Sequence, residues 1–279
     1  MQIAFRTHDL GVKGAENAVE KCKNCGIDAV QLVAYKFIDE IPYKPNALTE
    51  KAAAELGRTL KEGGIKVGLI GAYFNPVHSN KEKVASCKAV FKDYLKYSKL
   101  LGCNIVGSET GSFNDDKWTY NPLNRTEEAL KTVIETFTEL ADYAKEQGAY
   151  IGMEGAAGHV CWNVATLKRA VDGVNRDNVK VIFDIYNYLD ETNHSRYLEI
   201  LDEGLETFAG KIVVFHIKDY VLEDGKVKQV PPGKGLFDYP AILKRIKAYD
   251  KDAVLVLEGT TGENIVPCAE YVKTIWEEV

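Results

Sequence analysis

The chain has 279 residues, 46% of them hydrophobic and 27% charged, an ordinary globular composition that excludes disorder and fibrous repeats. Its 35 basic against 41 acidic side chains give a net charge of −6, without the broad positive field that neutralises nucleic-acid phosphates. Six dispersed cysteines exclude a small disulfide scaffold and read as reduced thiols.

Taken in chain order, short apolar runs alternate with long amphipathic ones. The chain enters a strand at 3–5 directly, without the charged-then-apolar signature of a secretory signal. A helix at 14–25 follows, then strand 29–33, helix 49–63, strand 67–70, helix 81–101, strand 105–106 and helix 125–147. The second half continues with strand 150–153, helix 163–173, strand 179–183, helix 196–209, strand 212–215, helix 239–248, strand 253–257 and helix 264–277. In the helix at 125–147, Leu130, Val133, Ile134, Phe137, Leu140, Ala141 and Ala144 fall on one stripe, the spacing of a helix with one buried face. The strand runs are apolar on both faces, as in a parallel sheet covered by helices. Eight strand–helix units in this length most economically close into a single α/β domain over residues 1–279, a (β/α)8 TIM barrel. A doubly wound open sheet would usually need fewer units. No run approaches the roughly 20 apolar residues of a membrane span, and a cytoplasmic protein is expected.

The connections are unequal. Helix-to-strand joints are brief and carry a glycine, as in Gln147-Gly-Ala149, where a helix ends. Strand-to-helix loops are long, at 71–80, 107–124, 154–162, 184–195 and 216–238, and in a barrel all of them emerge at the C-terminal face, where barrel active sites lie. They carry Tyr73, Phe74, Phe113, Trp118, Tyr120, Trp162, Tyr186 and Tyr188 as candidate pocket walls.

Four consecutive strands of the second half end in a metal-ligating residue type: Ile-Gly-Met-Glu154, Val-Ile-Phe-Asp184, Val-Val-Phe-His216 and Leu-Val-Leu-Glu258. Three carboxylates and an imidazole gathered at a barrel mouth would repel without a cation or shared protons. They suit one divalent metal ion, Mn²⁺, Mg²⁺, Co²⁺ or Zn²⁺. Further polar candidates are His8 after strand one, Asn75 and His78 after strand three, and Glu109 just past strand four. Lys218 shares the inward direction of His216 by strand alternation, which puts a lysine beside the metal. Cys22-Lys-Asn-Cys25 has redox or zinc spacing but no second pair. Gly233-Lys-Gly235 could hold a phosphate on backbone N–H groups, although no Walker or dinucleotide fingerprint surrounds it. No Gly-x-Ser-x-Gly elbow indicates a nucleophilic serine.

With the strand-end series Glu154, Asp184, His216, Glu258 go the runs Tyr73-Phe-Asn-Pro-Val-His78, Gly107-Ser-Glu-Thr-Gly111, Val181-Ile-Phe-Asp-Ile-Tyr-Asn187, His216-Ile-Lys-Asp219 and Pro232-Gly-Lys-Gly-Leu236. On these the chain resembles the xylose isomerase-like TIM-barrel superfamily, the sugar-phosphate isomerase/epimerase group, over nearly its whole length. The resemblance implies that Glu154, Asp184, His216 and Glu258 bind the metal. It also implies that Glu154 and Glu258 form the catalytic acid/base pair of a sugar or sugar-phosphate isomerase/epimerase working through an enediolate. His8, His78, Glu109, Asn187 and Lys218 are the expected substrate-binding residues. An alternative is a metal-dependent dehydratase of a keto-sugar or inosose, since an enediolate beside a β-hydroxyl can lose water. The chain departs from many epimerases at Asn187, where they carry a histidine, and in lacking an arginine after the metal histidine. The endonuclease IV branch uses additional histidines that are not found here, which with the acidic charge disfavours a nuclease. A non-catalytic sugar-binding barrel would not need paired carboxylates. The expected partner is a small carbohydrate, with no nucleic acid and no membrane, and exposed apolar helix positions permit a homo-oligomer.

Overall fold

The structure is a computed structural model that describes residues 1–279. In chain order its elements are β1 (Gln2–Arg6), α1 (Ala15–Asn24), β2 (Ala29–Leu32), α2 (Ala34–Phe37), α3 (Glu50–Glu62), β3 (Lys66–Gly71), α4 (Lys81–Tyr97), β4 (Ile105–Glu109) and α5 (Glu127–Gln147). Then follow β5 (Tyr150–Glu154), α6 (Val164–Val174), β6 (Val179–Asp184), α7 (Tyr197–Thr207), β7 (Ile212–Ile217), β8 (Asp219–Glu223), β9 (Lys226–Val230), α8 (Tyr239–Tyr249), β10 (Val254–Leu257) and α9 (Ile265–Glu278). Eight strands close into a parallel barrel in the order β1-β10-β7-β6-β5-β4-β3-β2, the (β/α)8 TIM barrel. No helix is long and apolar enough to cross a membrane.

The barrel is filled by one face of its strands and clad by the other. Ala4, Ala29, Leu69, Ile182, Val214 and Val256 form a fully buried interior cluster. Their neighbours one residue along, such as Phe5, Val30, Ile70, Phe183 and Phe215, join the larger core between barrel and helices, as the two-residue period of a strand requires. At Gly107 and Gly152 a Cβ would lie 2.4 and 2.9 Å from Cδ1 of Ile182. The two glycines make room for that side chain in the barrel centre. The α5 stripe is buried as its spacing predicts, Leu130, Val133, Phe137, Leu140, Ala141 and Ala144 facing the core, while Ile134 is half-buried beside Gly173.

Long loops are anchored where they re-enter helices. Thr49, Asn80, Thr126, Asn163 and Asp238 each accept a backbone N–H from three residues on, an N-cap that satisfies one otherwise unpaired donor and contributes about 1 kcal/mol. The structure differs from the sequence expectation in three places. The segment read as a loop at 216–238 contains the antiparallel hairpin β8–β9, turned by Asp224 and Gly225, both at positive φ, the Asp-Gly signature of a tight hairpin. Glu109 is the last residue of β4 rather than a loop residue. A four-residue helix, α2, stands after β2, too short for any hydrophobic period to reveal.

Candidate metal centre and active site

Along each strand, the residue two positions beyond the interior layer reaches the mouth on the same face. That rule takes Gly152 to Glu154, Ile182 to Asp184, Val214 to His216 and Val256 to Glu258, and one ligand atom from each of these four lies within 4.8 Å of the others. Nδ1 of His216 is 3.0 Å from Oε1 of Glu154 and 3.2 Å from Oε2 of Glu258. Glu154, Asp184 and His216 are buried.

The same rule places Arg6 beyond Ala4 and Gln31 beyond Ala29. Oε1 of Gln31 is 3.0 Å from Nε2 of His216, and its amide donates to the Tyr73 hydroxyl at 2.6 Å. An Nε2–H donated to Gln31 leaves Nδ1 as the nitrogen turned to the carboxylates, the way a ligating histidine is usually oriented. Asn187 donates to Oε1 of Glu154 at 2.8 Å and accepts from Nζ of Lys218 at 3.0 Å. Lys218 in turn stands 2.8 Å from Oδ2 of Asp184 and 3.0 Å from Oε2 of Glu258. Arg6 bonds Glu258 through Nη1 and Asp9 through Nε and Nη2.

These contacts set the charges. Burial raises the Glu154 carboxyl to about 7 against the pull of His216. Burial acts in the same direction on Glu258, but Lys218, His216 and Arg6 outweigh it and hold that carboxyl well below its ordinary value. Burial would lower His216, yet Glu154 and Glu258 raise it to about 10. A proton held on the His216 imidazole offsets part of the carboxylate charge. The residues fit a divalent cation in its place: the donor set is three carboxylates and an imidazole, and Oε2 of Glu154 is buried without a hydrogen-bond partner, an orphaned acceptor that a cation would satisfy.

A cavity of about 280 Å³ opens over Glu154 and Glu258. His8 and Glu109 line it, as do Tyr73 and Trp118. Asn187 and Lys218 are instead committed to the carboxylates. His78 is brought to none of these groups: its Nδ1 accepts from the N–H of Asn80 at 3.0 Å, and its ring lies 3.5 Å from Asp115 and from Asp116. It therefore lies within the loop after β3, apart from the groups gathered at the mouth. The backbone of Gly233-Lys-Gly235, which has no phosphate fingerprint around it in the sequence, meets an anion of the chain itself. The N–H groups of Gly233, Gly235 and Phe237 donate to the Asp219 carboxylate at 3.1, 2.9 and 3.0 Å, so the loop's donors are already used.

Sequence reasoning missed Arg6 and Gln31. Arg6 was hidden by ending the first strand at Phe5, one residue short. Gln31 is a lone amide inside the apolar run Ala29-Val-Gln-Leu32, and alternation from Ala29 could have found it.

The profile of xylose isomerase-like TIM barrels matches residues 19–274. An inosose isomerase of Bacillus velezensis is 27% identical over 252 residues, 86% of this chain and 81% of that protein. An inosose dehydratase of Glaesserella parasuis is 24% identical over 300 aligned positions, 96% of this chain and 91% of that protein. A solved structure of a D-tagatose 3-epimerase-like protein superposes with a TM-score of 0.79 at 19% identity, covering 100% of this chain and 98% of the other, a likeness of fold.

Proposed function

The chain belongs to the xylose isomerase-like TIM barrel family, and we propose that it acts as an enzyme of the isomerase/epimerase class on a small keto-sugar, shifting a proton beside the carbonyl through an enediolate. The observation that carries this reading is the convergence of Glu154, Asp184, His216 and Glu258 beneath a cavity over which Glu154 and Glu258 both open. These four residues would hold one divalent ion. When bound, it would supply positive charge to the enediolate oxygens.

The chain's own groups do the rest. Glu154 and Glu258 come from β5 and from the end of β10, with β6 and β7 between them, so they reach the cavity from separate sides. One would take the proton from the reacting carbon and the other would return one. Asn187 donates to Oε1 of Glu154 and holds that carboxylate in position. Lys218 and Arg6 hold the Glu258 carboxylate in position. Replacing Glu154 or Glu258 by Gln is expected to slow exchange of substrate C–H with deuterated solvent by roughly 10²–10⁴-fold. Undiminished exchange in both variants would overturn the assignment.

A second reading, a dehydratase, is favoured by the inosose dehydratase relative that matches 96% of this chain. Product analysis separates the two: conserved mass with deuterium at one carbon supports isomerisation or epimerisation, and loss of water supports the lyase.

A further inference from the structure

His216, Gln31 and Tyr73 are joined in one line of hydrogen bonds, and the line has a direction. Nε2 of His216 lies 3.0 Å from Oε1 of Gln31, and Nε2 of Gln31 lies 2.6 Å from the Tyr73 hydroxyl. Nδ1 of His216 is turned to the carboxylates, and an imidazole that ligates through one nitrogen carries its proton on the other. Nε2 of His216 therefore donates, so Gln31 must present its oxygen to the ring and its NH2 group to Tyr73. The phenol oxygen is thereby made an acceptor. A phenol has one proton of its own, and no group of the protein accepts it.

That free O–H stands in the wall of the cavity, with Glu154 and Glu258. Its place is prepared by Gly71. A Cβ there would lie 2.6 Å from Cε2 of Tyr73 and 3.3 Å from Nε2 of Gln31, so ring and amide meet across a position that has no side chain. Burial, with the charges of Glu154, Glu258 and Glu109, raises the phenol well above its ordinary value, and the hydroxyl keeps its proton. A hydroxyl that already accepts a hydrogen bond is polarised into a better donor. A fixed donor of this kind acts most strongly on an oxygen where negative charge develops during the reaction.

We propose that Tyr73 is a further catalytic residue, its hydroxyl set as a donor by Gln31 and bonded to the substrate oxygen that becomes negative in the enediolate. This inference rests on the reading of the cavity as a keto-sugar site. The proton stays on Tyr73 throughout, and Glu154 and Glu258 keep the transfer at carbon.

The test compares wild-type and Tyr73→Phe proteins, each supplied with Mn²⁺, in calorimetric binding of D-xylulose and of D-threonohydroxamate, whose vicinal oxygens share a negative charge as those of an enediolate do. The hydroxamate is expected to bind Tyr73→Phe about tenfold or more weakly than wild type. D-xylulose and Mn²⁺ should each bind within about threefold of wild type, because a donor aimed at the developing charge contributes little to the neutral sugar and the bond from His216 to Gln31 is kept. Equal binding of the hydroxamate by both proteins, or no binding to the wild type, would overturn the proposal. So would a parallel loss of D-xylulose or Mn²⁺ affinity, which marks a residue that only shapes the wall. Deuterium exchange into D-xylulose tests the reaction separately, and its kcat should fall about tenfold or more in Tyr73→Phe with KM nearly unchanged. Tyr73-dependent hydroxamate binding with no exchange in the wild type would keep the donor and count against the isomerase reading. Exchange undiminished in Tyr73→Phe would do the reverse.

Discussion

Along the same strands, the inward residues Ala4, Ala29, Ile182, Val214 and Val256 form an apolar cluster, whereas those two positions later, Arg6, Gln31, Asp184, His216 and Glu258, are all polar or charged. The two rings face the same axis and differ in what must be satisfied. In the interior the requirement is volume, met by Ile182 filling the space left by Gly107 and Gly152. At the mouth the requirement is compensation: Asp184 and Glu258 are held by Lys218, Glu258 also by Arg6, Glu154 by Asn187, and His216 by Gln31. A buried charge persists only where such partners exist. One strand period thus separates the residues that fill space from those that carry charge.

If that separation holds, substitutions in the two rings will have different readouts. The largest effect is expected at the mouth: Glu154→Gln and Glu258→Gln should each lower the rate of solvent exchange by roughly 10²–10⁴-fold while leaving the thermal midpoint near that of the wild type, measured by proton NMR and by thermal denaturation. Ile182→Ala belongs to the other ring. It should destabilise the fold by about 2–5 kcal/mol in urea unfolding yet keep the affinity of the folded protein for Mn²⁺, and a loss of affinity matching that of a ligand variant would break the separation. Between the two lies Gln31→Leu, which removes the acceptor for Nε2–H of His216. A fall of about 10–100-fold in Mn²⁺ affinity is expected by calorimetry, and an unchanged affinity would deny Gln31 its orienting role. The smallest effect is expected from His78→Gln, which acts on a separate loop and should leave Mn²⁺ affinity within about twofold.

How far the sequence could be read follows from the same geometry. The eight strand–helix units and the four strand-end residues that converge at the mouth were legible because each of the four closes an apolar run, where a polar group is conspicuous. The environment of those residues was less so. Gln31 is obscured by the apolar strand around it. Arg6 could be placed only by following the alternation one residue past Phe5. The hairpin β8–β9 was passed over although Asp224-Gly225 is a turn signature, because its outer strand, Lys226–Val230, is mostly exposed and offers no apolar run. The glycines at 233 and 235 suggested a phosphate loop. The anion they meet is the chain's own Asp219, whose proximity depends on the long-range fold of the loop.

The central claim is that the mouth ring forms one divalent-cation site from Glu154, Asp184, His216 and Glu258. Its most direct test is calorimetric titration of Mn²⁺ into chelator-stripped wild-type protein and into Glu154→Gln, Asp184→Asn, His216→Ala and Glu258→Gln. The account predicts one ion per chain in the wild type and a loss of that binding in every variant. No binding to the wild type, or wild-type affinity retained in the variants, would contradict it.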